Sequence, residues 1–389
     1  MHILIIPSWY PQTPDDVNGI FFRLQAQAIQ RAGHQVGVIA GHFRSLRQGL
    51  KPIILEPYGI KHYTEESIPT YIYRNTSFFP RLPLEQHAWL KAGHKLFERY
   101  VADHGMPDIL HAHCVNQGGI IACDISKKYR IPYVITEHSS TYARGLIRKW
   151  QRPFMQEAAE NAAARIAVSH DFAKLLNREY NGLNWDYIPN LLAPRFCTNT
   201  NLSSKPQDEH FTFCSVANLN PNKGFDVLLQ AFALARKKYP HFKLDIGGGG
   251  AIEGRLKELA RTLDLQTSVR FLGKLDNNGV MALMRQSDAF TLASHIETFG
   301  VVFIEALSQG LPVVATRCGG PESIVNANNG LLVETNHPQQ LADALVQLYE
   351  NRQQYDAATL RQQTLAEFGE QSVVDQLNVV YQKAVHTPA

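Results

Sequence analysis

Asp288-Ala289-Phe290-Thr291-Leu292 is a short apolar run bounded by polar residues, and a little further on the chain reads Glu297-Thr298-Phe299-Gly300-Val301, with a second glutamate at Glu305 and Ala306-Leu307 behind it. The run has the length and composition of a buried strand, and 301–309 has those of the helix that follows. Glu297 then falls in the loop where the strand ends. Glu305 lies inside the helix, slightly more than two turns on at about 3.6 residues per turn, so a ligand lying along the helix start could touch both carboxylates. Between them, Phe299 and Gly300 offer backbone N–H groups where the helix dipole and its unpaired donors favour phosphate, and Gly300 permits close backbone approach. A surface helix with two solvated glutamates would read the same, so the choice rests on the rest of the chain.

Strand-like and helix-like runs alternate outward from this point in both directions. In the front half the strand runs are 3–7, 36–40, 109–113, 133–136 and 166–169, separated by helical patterns such as 21–31 and 118–129. This is the pattern of a parallel sheet covered on both faces. A polar, irregular stretch over 189–210, with Pro194, Pro206 and several Asn and Ser residues, interrupts it. Alternation restarts at 211–217 and continues through 242–246, 269–272, 289–292, 313–315 and 330–333. From Pro338 onward the chain reads as helix only, closing with an amphipathic segment over 373–384. The expected fold class is therefore α/β, with two doubly wound Rossmann-like domains: 1–190, a linker at 191–210, 211–369, and a last helix at 370–389 that returns to the N-terminal domain. Ligands of such sheets bind beyond the carboxyl ends of the strands, so two domains facing one another would form an interdomain cleft in which two substrates could meet.

Composition excludes several classes. The 389 residues, 44% hydrophobic and 19% charged, suit a soluble globular chain with large cores. Five widely spaced cysteines with no C-x-x-C pair indicate neither a disulfide framework nor a zinc knuckle, and a reducing cytoplasm is the simplest home. The opening run Met1-His2-Ile3-Leu4-Ile5-Ile6-Pro7 is far shorter than the ~20 apolar residues that span a bilayer, so neither secretion nor anchoring is expected. The net charge of +3 is too modest for a nucleic-acid binder. It is unevenly shared, with 21 Lys/Arg against 16 Asp/Glu through residue 190 and 17 against 19 beyond. Arg144, Arg148, Lys149 and Arg152, with Trp150 and Phe154 among them, could lie on one helix face and attract an anionic membrane surface or a phosphate-bearing acceptor; an ordinary solvated helix would look the same.

Other strand ends also carry chemistry. After the run at 211–217, Asn218-Leu219-Asn220-Pro221-Asn222-Lys223-Gly224 places Lys223 just before a helix N-terminus, a plausible grip for a diphosphate or simply a solvated loop lysine. The glycines of 247–250 follow another strand but do not form a dinucleotide fingerprint, which belongs after the first strand of its domain. That absence disfavours a dehydrogenase. Gly319-Gly320-Pro321-Glu322 sits at a further strand end, where it would shape a cleft floor. In the front half His138 directly follows a strand, within reach of a reacting centre, although a lone histidine is more often structural. His111 and His113 share one strand face beside Cys114, a weak metal pattern and a better cleft lining.

Taken together these residues resemble the retaining glycosyltransferases of family 4, which have the GT-B fold of two facing Rossmann-like domains. The resemblance rests on Glu297 and Glu305 with seven residues between, Lys223-Gly224, Gly320-Pro321-Glu322, the 108–113 strand and Pro189-Asn190. The opening Pro7-Ser8-Trp9-Tyr10-Pro11 through Gly19 and Gln25-Ala26 is similar to members that build bacterial surface polysaccharides. The resemblance implies that Glu297 meets hydroxyls of a donor sugar, Glu305 the ribose, and Phe299, Gly300 and Val301 the donor through backbone N–H groups. Lys223 would hold the departing diphosphate, His138 would contact the sugar near the reacting carbon, Gly19 would let the front loop close on the phosphates, and His113 and Glu322 would line the site. One departure stands out: the family usually has arginine where this chain has Asn218, so Lys223, the helix dipole or another basic residue must stabilise more of the developing charge.

The activity implied is transfer of a hexose from a nucleotide diphosphate sugar, with UDP the favoured nucleotide, to a glycan or lipid-linked acceptor, with retention and without a cofactor or required metal. A covalent route would need two carboxylates ~5–5.5 Å apart flanking the bond; with both glutamates assigned to binding, front-face attack by the acceptor hydroxyl is expected instead. Cytoplasmic placement with peripheral membrane association and no nucleic-acid partner completes the expectation. A nucleotide-sugar epimerase of the same fold, or an inactive sugar-nucleotide-binding protein, are the alternatives.

Overall fold

Chain segments in which every residue is apolar or hydrogen-bonded inward become the central strands of parallel sheets, because both faces of such a sheet are covered by helices. All of β1 (His2–Pro7) and all of β12 (Ala289–Leu292) are buried. The computed structural model describes residues 1–13, 16, 18–45, 51–78, 82–198 and 209–386. It divides into two units, one of Met1–Val168, Ala173–Leu191 and Glu370–Ala389, the other of Ser169–Phe172 and Leu192–Gly369.

In the first unit the described strands are β1, β2 (Gln35–Ser45), β3 (Gly59–Glu65), β4 (Ile68–Ser77), β5 (Ile109–His113), β6 (Tyr133–Glu137), β7 (Ala164–Ala167) and β8 (Asp186–Tyr187). They lie in the order β3-β4-β2-β1-β5-β6-β7-β8, parallel throughout except for β3. Without that hairpin strand the order is 3-2-1-4-5-6 extended by β8 as a seventh strand at the edge, with a topological switch between β1 and β5, which pair directly, Ile5 opposite His111. The hairpin is not readable from the sequence, because its two turn residues, Glu66 and Ser67, hold φ 45° and 66° without the Asn or Gly that normally marks such a turn. The core of this unit joins Ile3, Ile5, Phe22 and Val38 to Val373, Leu377 and Tyr381 of the terminal helix Glu370–His386. The Tyr381 hydroxyl also meets buried His111 Nδ1 at 2.7 Å.

The second unit holds β9 (Phe211–Val216), β10 (Phe242–Gly247), β11 (Val269–Gly273), β12, β13 (Val313–Thr316) and β14 (Gly330–Val333). All pairs are parallel, in the order β11-β10-β9-β12-β13-β14. This is again 3-2-1-4-5-6, with the switch between β9 and β12. Two Rossmann-like sheets are thus present. The loops leaving β9 and β10 meet so closely that a Cβ on Gly248 or Gly250 would stand 1.9 or 2.1 Å from the carbonyls of Ala217 and Leu219, which accounts for the glycine run there.

Two expectations change. Arg144, Arg148 and Lys149 do not share a helix face with Arg152: they lie in turns and irregular chain, and the helix begins only at Arg152–Glu160 with Pro153 in its first turn. Gly145 at φ 63° and the proline together set that late start. The stretch read as a polar linker is, over 191–198, packed inward: Leu191, Leu192, Ala193 and Phe196 are buried, and Pro194–Cys197 forms a helical turn. Residues 199–208 of that linker lie outside the described residues.

Candidate functional site

The switch point between β9 and β12 brings together two residues 74 positions apart, because each is delivered by the carboxyl end of one of these adjacent strands. After β9 the chain makes a tight turn, Pro221–Lys223, with Asn220 accepting from the Asn222 N–H, and Gly224 at φ 60° then caps the helix Phe225–Lys238. A Cβ on Gly224 would stand 1.9 Å from the Ala293 carbonyl, so the turn is seated directly against the exit of β12. There the His295 N–H donates to the Asn222 carbonyl at 2.8 Å. Lys223 Nζ consequently forms an ion pair with Glu297 Oε1, which also accepts from Ser294 Oγ at 2.8 Å. The pair keeps side-chain exposures of 24% and 13%, so both groups can still reach a ligand.

Around this pair the other rear-sheet candidates take distinct stations. Asn218 is exposed at the end of β9. Gly300, at φ 100°, caps the helix Val301–Ser308, with Val301 as its first residue. Phe299 is buried against Phe368, and Gly320 lies so close that a Cβ there would come 2.5 Å from the Phe299 nitrogen. Glu322 is half-buried and accepts the Gly319 N–H through both oxygens, at 3.0 and 3.2 Å. Burial pushes its carboxyl up while these backbone bonds hold it down. Glu305 does not touch Glu297 or Lys223 by any hydrogen bond, and its carboxyl lies deep although the residue keeps some surface. Desolvation pushes it up to about 7, with Arg195 pulling the other way. Arg195, on the helical turn Pro194–Cys197, has its Nε buried without a hydrogen-bond partner among the described residues.

The first unit gathers a second set at its own carboxyl edge. His138 follows β6 and His113 ends β5; His113 Nδ1 and His138 Nε2 stand 3.1 Å apart. Phe22 lies against both rings, with centroids at 4.7 and 5.1 Å, and Phe21 against His138 at 5.0 Å. Gly19, at φ 76°, starts the helix Ile20–Arg31 that carries these phenylalanines, and Trp9 leaves no room there for a Cβ. Burial pushes His111 and His138 down to about 3 and His113 well below its ordinary value; neighbouring rings oppose charge further at His113 and His138, while the Asn190 side chain works the other way at His138. All three are neutral imidazoles at physiological pH. His138 can thus donate or accept a hydrogen bond, but it does not supply a cation.

Three residues at these edges carry no readable sequence motif: Ser294, which orients Glu297; Arg195, which faces Glu305; and Glu137, fully buried beside His138. Ser294 and Glu137 could be found by asking what else leaves the same strand ends. Arg195 could not, since it arrives from a distant segment. No helix among the described residues is long and apolar enough to cross a membrane.

Comparison with known proteins identifies the scaffold. The model for Glycosyltransferase Family 4 matches residues 20–192 and that for Glycosyl transferases group 1 matches residues 200–364. An uncharacterized glycosyltransferase of Haemophilus influenzae is 32% identical over 191 residues, or 48% of this chain and 52% of the relative, so the match spans about half the length of that protein. The putative teichuronic acid biosynthesis glycosyltransferase of Bacillus subtilis is 25% identical over 91% of this chain and 90% of its own. An Anabaena protein solved in complex with UDP and glucose shares the fold at a TM-score of 0.73 and 19% identity, covering 98% of this chain and all (100%) of that one. The chain is therefore a glycosyltransferase of the GT-B type, with a Glycosyltransferase Family 4 domain followed by a Glycosyl transferases group 1 domain.

Proposed function

We propose that this glycosyltransferase moves a hexose from a UDP-sugar, with retention at the anomeric carbon, to a hydroxyl of a glycan or lipid-linked acceptor in the building of a polysaccharide. The observation that carries the reading is the Lys223–Glu297 pair at the switch point of the second sheet, with Glu297 three residues before the Gly300 cap of the following helix. Support for the sugar class comes from the Bacillus subtilis relative's name and from the UDP and glucose in the Anabaena neighbour. Without ligand the two side chains satisfy one another. A diphosphate carries more negative charge than one carboxylate, so it draws the Lys223 ammonium away, and Glu297 is released to accept hydroxyls of the sugar.

Bond cleavage loads negative charge onto the departing diphosphate, where the Lys223 ammonium and the helix N-terminus stabilise it in place of the arginine that Asn218 replaces. Charge supplied this way leaves the chemistry without need of a resident metal. The acceptor oxygen attacks the face from which the diphosphate departs and gives its proton to the leaving phosphate; His138 serves the transferred sugar as a neutral hydrogen-bonding group. Glu305 takes the ribose. A cytoplasmic setting with peripheral attachment to an anionic membrane belongs to the same proposal, supported by Arg144, Lys149 and Leu146, exposed together on one turn region.

The test is a panel of nucleotide sugars scored by ligand-induced stabilisation and by release of nucleoside diphosphate with and without acceptor. UDP-sugars stabilise the wild type, and Lys223→Ala and Glu297→Gln lower turnover by roughly 100-fold or more, the scale of losing one charge-stabilising group. Failure of every nucleotide sugar to bind refutes the assignment, and a sugar ester trapped in Glu297→Gln refutes front-face attack.

A further inference from the structure

Glu137 is the last residue of β6 and is 0% exposed, yet no lysine or arginine among the described residues bonds it. Its carboxylate instead collects donors. Oε1 accepts the N–H groups of His138 at 2.9 Å and Ser139 at 2.8 Å; Oε2 accepts the Val115 N–H at 2.7 Å and the Tyr142 hydroxyl at 3.0 Å. Tyr142 in turn receives the Tyr180 hydroxyl at 2.6 Å. Four donors thus converge on its two oxygens; burial pushes the carboxyl up, while the Val115 and Ser139 N–H groups and the Cys114 and Tyr142 side chains hold it down.

These bonds reach into two different loops. One carries His138. The other, Val115–Gly119, is strained: Cys114 stands at φ 67° and Gln117 at φ 61°, ψ −74°, conformations that non-glycine residues hold only when their surroundings impose them. Gly118 is wedged in, with a hypothetical Cβ 2.5 Å from the Ile6 carbonyl, and its N–H donates to Ser8 Oγ at 3.0 Å. Ser8 holds one end of this loop and Glu137 the other, at the β1/β5 switch point of the first sheet. The strained turn thereby holds Asn116 and Gln117, both partly exposed, at the edge where ligands of such sheets bind.

We propose that Glu137 is a positioning residue for glycosyl transfer: through the main chain of two loops, its carboxylate sets where the His138 imidazole and the Asn116 and Gln117 amides stand. The proposal rests on the function given above for the transfer step, but not for the geometry.

Glu137→Gln and Tyr142→Phe test it. In the first, an amide –NH2 must face at least one main-chain N–H, so the two loops lose their common anchor. With wild-type turnover as reference, kcat falls by roughly 100-fold, the scale expected when reacting groups are misplaced by about 1 Å. The dissociation constant for UDP stays within twofold of wild type, because the four donors that Glu137 holds all belong to the first unit. Tyr142→Phe keeps the shape and removes one donor, so kcat falls roughly fivefold, as for one hydrogen bond, again with UDP affinity unchanged. If Glu137→Gln does not fold, Tyr142→Phe decides. NMR of the His138 ring gives a readout independent of activity: its resonances shift in either variant while those of the second unit's amides do not. Folded variants with wild-type kcat and an unmoved His138 ring overturn the proposal. A wild type that transfers from no donor refutes the proposed function instead, and the His138 shifts still decide the positioning role.

Discussion

Glu305 gives the sharpest pH test of the donor site. Desolvation pushes its carboxyl up to about 7 from an ordinary 4.5, even with Arg195 nearby. Ribose hydroxyls are donors to an ionised carboxylate, so a nucleotide that uses Glu305 prefers the deprotonated form. With a midpoint near 7, about one Glu305 in eleven is ionised at pH 6 and about ten in eleven at pH 8, so affinity rises roughly tenfold between them. The phosphates of UDP also titrate near pH 6, in the same direction. Glu305→Gln isolates the protein's share, since the amide oxygen still accepts but does not titrate. Calorimetric titration of UDP at pH 6, 7 and 8 should show a wild-type ratio roughly tenfold steeper than that of the variant. The free protein shows the opposite slope. Folded Glu305 holds its proton more tightly than the unfolded chain does, so its contribution to stability is full below about pH 4.5 and is lost as pH rises through 7. The residue's remaining surface makes about 3 kcal/mol a ceiling for that loss. Identical UDP affinity ratios in wild type and Glu305→Gln would refute the ribose contact, and identical pH–stability slopes would refute the raised carboxyl.

Two substitutions probe how the second sheet's edge is built. Gly224→Ala drives a Cβ onto the Ala293 carbonyl at φ 60° and costs ~1–3 kcal/mol in urea unfolding, together with weakened UDP binding because Lys223 moves with the turn. A change under about 0.5 kcal/mol with normal affinity would show that the turn is not seated there. Arg361→Met removes a buried guanidinium that donates to the Phe196, Cys197 and Ser308 carbonyls at 3.0, 2.7 and 2.5 Å, with an expected loss of ~3 kcal/mol. An unshifted urea midpoint would mean that water replaces these bonds without penalty.

Much of the fold is legible in the chain, for local reasons. The strands at 109–113, 289–292 and 330–333 are read to the residue, since a fully buried parallel strand must be a short uninterrupted apolar run. The β3–β4 hairpin escapes because Glu66-Ser67 turns without the usual chemistry. The basic stretch at 144–152 misleads because side-chain charge says nothing of backbone, whereas Gly145 and Pro153 do. At the site, Glu297, Lys223 and His138 can each be placed at a strand end from sequence. That Glu297 is bonded to Lys223, that His138 stays neutral, and that Glu137 ties two loops together cannot be so placed, because each depends on groups far away along the chain.

Sequence periodicity by itself determined that strands and helices alternate, and therefore which side chains leave the carboxyl ends of strands, since that pattern is set within a few residues by burial and backbone preference. Only tertiary structure decided which of those ends are neighbours. The placement of β9 beside β12, and of β1 beside β5, comes from pairing between distant segments, and it is this pairing that sets Lys223 on Glu297 and fixes how much water each carboxylate and imidazole retains.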